Sequence, residues 1–170
     1  KLENAFEQDM GLTYKLLRFV NSDLFNIKRE ISSLKQAMVF LGETQLRKFI
    51  CLIVMAQLNP EKPTALIENT VIRARLCELI AKACDFKEAT DAAFLTGLFS
   101  NIDAILDRPM DNILESLPLA QPIKDALLTK QGELANCLDA TLAYISGDWD
   151  AIFAFSELHQ ISPEHLMRCC

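Results

Sequence analysis

The chain contains only two histidines, His159 and His165, both within its last dozen residues. A nucleophile-and-base arrangement needs an imidazole close to a Ser or Cys, so such a site has little to draw on. Structural zinc needs three or four Cys or His ligands at close spacing. Only Cys169, Cys170 and His165 approach that, and their spacing argues against it. Glycine-rich phosphate loops are excluded more firmly, because Gly11, Gly42, Gly97, Gly132 and Gly147 each stand alone. Two carboxylate pairs remain for acid-base work: Asp103 with Asp107, and Asp148 with Asp150 around Trp149. Asp107 precedes an Arg-Pro breaker and Asp148 follows Gly147 in an N-cap position, so both pairs read more simply as helix punctuation. A polar cluster, Ser100, Asn101 and Asp103, interrupts the apolar stretch AAFLTGLFSNIDAILDRP, Ala92 to Pro109.

The elements that must position these residues are helical. Leu12, Leu16, Phe19 and Val20 form a stripe, as do Leu34, Ala37, Met38 and Leu41, and then Leu46, Phe49, Ile50, Ile53 and Val54. Ser33 followed by Gln36 fits a capping box, and Gly42 is a stop before the third helix. The proline-bearing loop LNPEKPT leads into a fourth helix with Val71, Ile72, Leu76, Leu79, Ile80 and Ala83 on one side. The fifth helix is Ala92 to Pro109, with Phe94, Leu95, Leu98, Ile102, Ile105 and Leu106 as its apolar face and Ala93, Gly97, Ser100 and Ala104 as a small-residue stripe. Shorter pieces follow: DNILES, PIKDALL, ELANCLDATLAYIS, DWDAIFAFSELH, and a last start with Ser162 as cap and Pro163 at the first helical position. Strand alternation is almost absent and no long repeat recurs. The sequence therefore predicts an all-α, compact multi-helix bundle of about ten helices or helical turns, a single domain over residues 1–170.

Charge is uneven. Residues 1–90 hold 13 Lys/Arg against 11 Asp/Glu, and residues 91–170 hold 4 against 12, for a net charge of −6. A polyanion needs a clustered basic face, which is missing, so nucleic acid is not expected as a partner. The run Phe49 to Ala56 is too short to cross a bilayer, so no membrane is expected either. Cys51, Cys77, Cys84, Cys137, Cys169 and Cys170 form no C-x-x-C pair, and most sit in apolar helical patterns, which points to a reducing, cytoplasmic setting. The opening KLENAFEQDM has no basic-plus-apolar leader and reads as the start of a piece excised from a longer protein.

The run from Leu12 to Ile50 resembles the HDOD domain, a bacterial signalling module related to the HD metal-dependent phosphohydrolases. The residues carrying the resemblance are Leu16, Leu17, Arg18, Asn21, Ser22 and Phe25, then Ile31, Ser33, Ala37, Leu41 and Gly42. VIRARLCELIA and AFLTGLFSNIDAIL are similar to the next two family helices, so the likeness extends over essentially all 170 residues. LAYISGDWD looks like the ending seen when HDOD follows an EAL-type cyclic-di-GMP domain. The motif residues Leu17, Arg18, Asn21, Ser22, Ile31, Ser33, Leu41 and Gly42 read first as structural, with Asn21 and Ser22 able to bond exposed backbone groups at a helix end.

In the HD relatives, a GLLHDIG-like helix supplies adjacent His and Asp metal ligands. The corresponding string here is GLFSNID, with Ser100 and Asn101 in their places, and residues 1–158 contain no histidine. A hydroxyl and a neutral amide cannot hold a metal that lowers the pKa of a bound water. The Gly-Tyr-Pro signature of the cyclic-di-GMP-cleaving HD relatives is also absent. The resemblance therefore implies a vestigial pocket at Ser100, Asn101 and Arg73, with no catalytic residue, no metal and no cofactor. It implies a non-catalytic regulatory or protein-interaction module of a bacterial signalling protein linked to cyclic di-GMP, its partner a protein or an adjoining EAL-like domain. Two alternatives stand beside it: a nucleotide- or small-ligand-binding domain that keeps the pocket without its metal, with Arg73, Asn101 and Asn21 as contacts, and a divergent hydrolase.

Overall fold

A computed structural model describes residues 14, 16, 17, 20, 21, 31–58, 62–86, 89–117 and 119–169. The family-motif positions Arg18 and Ser22 lie outside them. Among the described residues there are nine helices in element order and no strands, as the periodicity predicts. The chain divides into two compact units, residues 1–53 and 54–170.

In the first unit Tyr14, Leu16, Leu17 and Val20 are helical and Asn21 begins a turn. The Ser33 hydroxyl accepts a hydrogen bond from the Gln36 N–H at 3.3 Å, capping the helix that follows. That helix, α1 (Leu34–Leu58), is broken at Gly42, whose φ of 71° and ψ of 173° suit a residue without Cβ. The periodic stripes on either side of Gly42 thus become two helical segments. Leu16, Val20, Ile31, Ala37, Leu41 and Leu46 pack as the core of this unit.

The second unit holds α2 (Thr64–Ala83), α3 (Thr90–Phe99), α4 (Ile102–Leu106), α5 (Met110–Ser116), α6 (Gln121–Leu128), α7 (Glu133–Ser146), α8 (Trp149–Leu158) and α9 (Pro163–Cys169). Its core joins Cys77, Ile80 and Ala81 of α2, Ala93 of α3, Leu114 of α5, Ile123 of α6, Leu134 and Leu138 of α7, Ile152 of α8 and Leu166 of α9. Caps set several boundaries. The Asp148 carboxylate accepts from the Ala151 N–H at 3.1 Å, and the Ser162 hydroxyl accepts from the His165 N–H at 3.1 Å. Gly147 closes α7 in the left-handed conformation. Thr70, Thr96 and Thr141 are buried, and their hydroxyls donate to the carbonyls of Leu66, Ala92 and Cys137 one turn back.

Two expectations change. The fourth helix buries Leu76 and Ile80 of the expected side, but Val71 and Ile72 at its start are exposed, whereas Thr70, Ala74, Cys77 and Ala81 are inside. The reason is the approach of α3. A Cβ added at Gly97 would stand 2.6 Å from the Arg73 carbonyl oxygen and 2.7 Å from the Ala74 Cα. Backbones that close admit only small side chains between them, so beside Arg73 and Ala74 size overrides hydrophobicity in choosing what is buried. The stretch Ala92 to Pro109 is also not one helix. It breaks at Ser100 and Asn101, and past the break Ala104 is exposed, so the small-residue stripe ends at Ser100.

Candidate functional site

The break between α3 and α4 follows from the polar residues that occupy it. Ser100 ends α3, its hydroxyl donating to the Gly97 carbonyl at 2.7 Å, a local bond that competes with helix continuation. Asn101 follows with φ −121° and ψ 16°, outside the helical range. The apolar pattern then resumes, with Ile102 and Ile105 buried in α4.

Asn101 is held by side chains of α2. Its Oδ1 accepts from Arg73 Nη1 at 2.6 Å, and its Nδ2 donates to the Thr70 hydroxyl at 3.4 Å. Gly97 makes this possible by letting α3 lie against the backbone of Arg73 itself. Arg73 is half-buried, its Nε is buried without a hydrogen-bond partner, and no carboxylate among the described residues pairs with it. The structure thus brings Arg73 and Asn101 together, with Ser100 adjacent but bonded to its own helix. Among the described residues the side-chain partner of Arg73 is the neutral amide of Asn101, an arrangement suited to an oxyanion.

Asn21 has a different setting. Its Nδ2 donates to the Leu17 carbonyl at 2.9 Å and the Ile31 carbonyl at 2.8 Å, and its Oδ1 accepts from the Ile31 N–H at 2.8 Å. One amide thus joins three main-chain groups, of Leu17 and Ile31. Ile31 and Leu41 are core residues of the same unit, and Leu17 packs against that core.

The remaining chemistry-bearing residues are placed as follows. Asp107 takes a left-handed conformation at the end of α4, φ 51°, and pairs with Lys62 at 2.6 Å, while Asp103 is exposed. Asp148 is engaged as the cap of α8. His159 packs its ring against Phe86 and Phe155, at centroid distances of 5.5 and 4.4 Å, and its Nε2 is buried without a partner. Burial pushes the Cys77 thiol up to about 12, against smaller opposing effects from the Thr141 side chain and the Gly97 backbone. It raises Cys137 as well, so both thiols stay protonated at neutral pH. A cavity of about 630 Å3 opens elsewhere, lined by Ala89, Ala92, Pro122, Asp125, Gln131, Gly132, Glu133 and Leu134. No motif in the sequence pointed to it.

The helix end at Asn21, the cap at Ser33 and the break at Gly42 lie in the part of the chain that a family model describes. The HDOD domain model matches residues 1–115. The chain belongs to the HDOD family. Similar proteins include the one named cyclic di-GMP phosphodiesterase CdgJ of Vibrio cholerae, 40% identical over 152 residues, covering 89% of this chain and 35% of that protein. The Bacillus subtilis protein YuxH is 30% identical over 173 residues, covering 99% of this chain and 41% of its own length. The chain therefore spans well under half of each of these curated relatives. No solved structure gives a significant match.

The likeness to CdgJ corrects one expectation. A chain sharing 40% identity with a protein named a phosphodiesterase cannot be set apart from enzymes on its ligand set. The missing imidazole at Ser100 and the missing carboxylate at Asn101 speak only to metal-assisted hydrolysis of the HD kind. Membrane insertion is a separate question: among the described residues no helix is long and apolar enough to cross a bilayer.

Proposed function

We propose that this HDOD chain is part of a longer protein that turns over cyclic di-GMP, and that it governs that turnover by contact with an adjoining signalling domain, of EAL type, or with a separate protein. The observation that carries this reading is the 40% identity with CdgJ over 89% of the chain, at 35% of the length of that protein. Helical bundles present grooves and faces suited to such contacts. The raised thiols of Cys77 and Cys137 suit a reducing cytoplasm, where buried cysteines serve as small apolar residues. The test compares cyclic di-GMP hydrolysis by the full-length parent, by the parent lacking residues 1–170, and by this chain alone. Deletion should change the rate of the parent several-fold. An unchanged rate overturns the regulatory reading, and hydrolysis by the isolated chain replaces it with a direct catalytic one.

A second reading is favoured by one observation, the half-buried Arg73 guanidinium, which among the described residues bonds Asn101 and no carboxylate. In that reading the HDOD chain binds a nucleotide through its phosphate. Calorimetric titration with cyclic di-GMP and with GMP should then give micromolar binding that is lost in Arg73→Gln. Absence of heat with both ligands sinks it.

A further inference from the structure

We infer that the groove between α7 and α8 docks a basic amphipathic helix of a protein partner. The inference rests on the protein-contact reading above and gives that contact a place and a chemistry.

The groove is a cavity of about 240 Å3 with Ala140 and Ala143 of α7 facing Ala151, Ala154, Phe155 and Leu158 of α8, and with Asn136 and Asp139 at its edge. That is below the range of roughly 300–1,000 Å3 usual for small-molecule sites. It is instead a shallow trough. Four alanines let an incoming helix approach closely, and Leu158, 71% exposed, stands in water at its side. On α8 the lining residues recur at 151, 154, 155 and 158, the spacing of one helical face, so the trough runs along the helix axis. An exposed leucine over an alanine floor is an anchor of the kind that helix-in-groove recognition uses.

Charge selects the occupant. From Gln131 to Met167 there is no Lys or Arg, while Glu133, Asp139, Asp148, Asp150, Glu157 and Glu164 are all present and exposed. Asp139 borders the groove, so an acidic helix would meet repulsion at its edge, with no Lys or Arg in α7 or α8 to offset it. A helix with an apolar stripe flanked by Lys or Arg meets complementary charge. The two requirements, an apolar stripe for the trough and positive flanks for the carboxylates, define the partner.

The experiment uses this chain and a fluorescein-labelled helical peptide of about 18 residues built from Leu, Ala and Lys with one apolar face, beside a counterpart in which each Lys is Glu. Fluorescence anisotropy should show the basic peptide binding at least about tenfold more tightly than the acidic one, with affinity falling as salt is added. Ala154→Trp fills the trough from an exposed position and should weaken binding of the basic peptide about tenfold with the circular dichroism spectrum unchanged. Leu158→Ser should do the same from the anchor side. Equal binding of the two peptides, or full binding by both variants, overturns the inference. Because no cyclic di-GMP is turned over, failure here leaves the regulatory reading standing, and failure of the deletion test leaves this measurement intact.

Discussion

At residue 21 an asparagine amide bonds three main-chain groups, and at residue 101 the same amide bonds two side chains. Both follow an apolar helix, and both interrupt a strongly hydrophobic pattern. The first is a staple: its partners are fixed by the chain's own path, and every donor and acceptor of the amide is matched to backbone. The second is a handle on a charge, because it orients Arg73 without neutralising it. A residue satisfied by backbone serves the fold, whereas a residue satisfied by a cation leaves that cation's field available for a ligand.

The largest expected effect tests the frame that brings Arg73 and Asn101 together. Gly97→Ala forces a Cβ into the α2 backbone and should destabilise the protein by about 3 kcal/mol, seen as a lower denaturant midpoint. Asn21→Ala should follow at about 2 kcal/mol, because it leaves the Ile31 N–H and two carbonyls without their partner, while Asn101→Ala should cost only about 1 kcal/mol. Equal losses at 21 and 101 would erase the distinction.

Alkaline pH probes the α2 to α3 seam without mutation. The Cys77 pKa is raised from 9.0 in the unfolded chain to about 12 in the folded one, so below pH 9 the thiol is protonated in both states. As pH rises past 9 the unfolded chain loses its proton first, and stability should fall by up to about 1.4 kcal/mol per pH unit per buried thiol. Urea titrations at pH 8, 9 and 10 check the slope, which Cys77→Ala should reduce.

The smallest effect separates the two asparagines by sign. Asn101→Asp gives Arg73 a carboxylate and should raise stability by about 0.5 kcal/mol at low salt. Asn21→Asp removes the Nδ2 donor that holds two carbonyls and should lower it. Thermal melts of both variants at two salt concentrations decide the matter.

Much of the frame was legible locally. Ser33, Gly42, Gly147, Asp148 and Ser162 act through bonds within a few residues, so their types announced helix ends that the structure places there. The failures share a non-local cause. The buried face of α2 is chosen by the approach of α3, and the helix break at Ser100 and Asn101 is held in part by Arg73, 28 residues earlier in the chain. Hydrophobic periodicity carries no information about which neighbour arrives or how close it comes. The resemblance put Ser100, Asn101 and Arg73 forward together, but only the geometry shows that Ser100 bonds its own helix while Asn101 reaches across to Arg73. The groove between α7 and α8 left a faint signal, the alternation of alanines with exposed carboxylates.

The lack of cations in that last region also decides how the protein is cut. Trypsin cleaves after Lys or Arg, and between Lys130 and Arg168 it finds neither. A digest should therefore release α7 and α8 within one fragment, residues 131–168, still joined through Gly147 and Asp148. The acidic hairpin can be followed by mass as a single object, free or carrying whatever has been cross-linked to it.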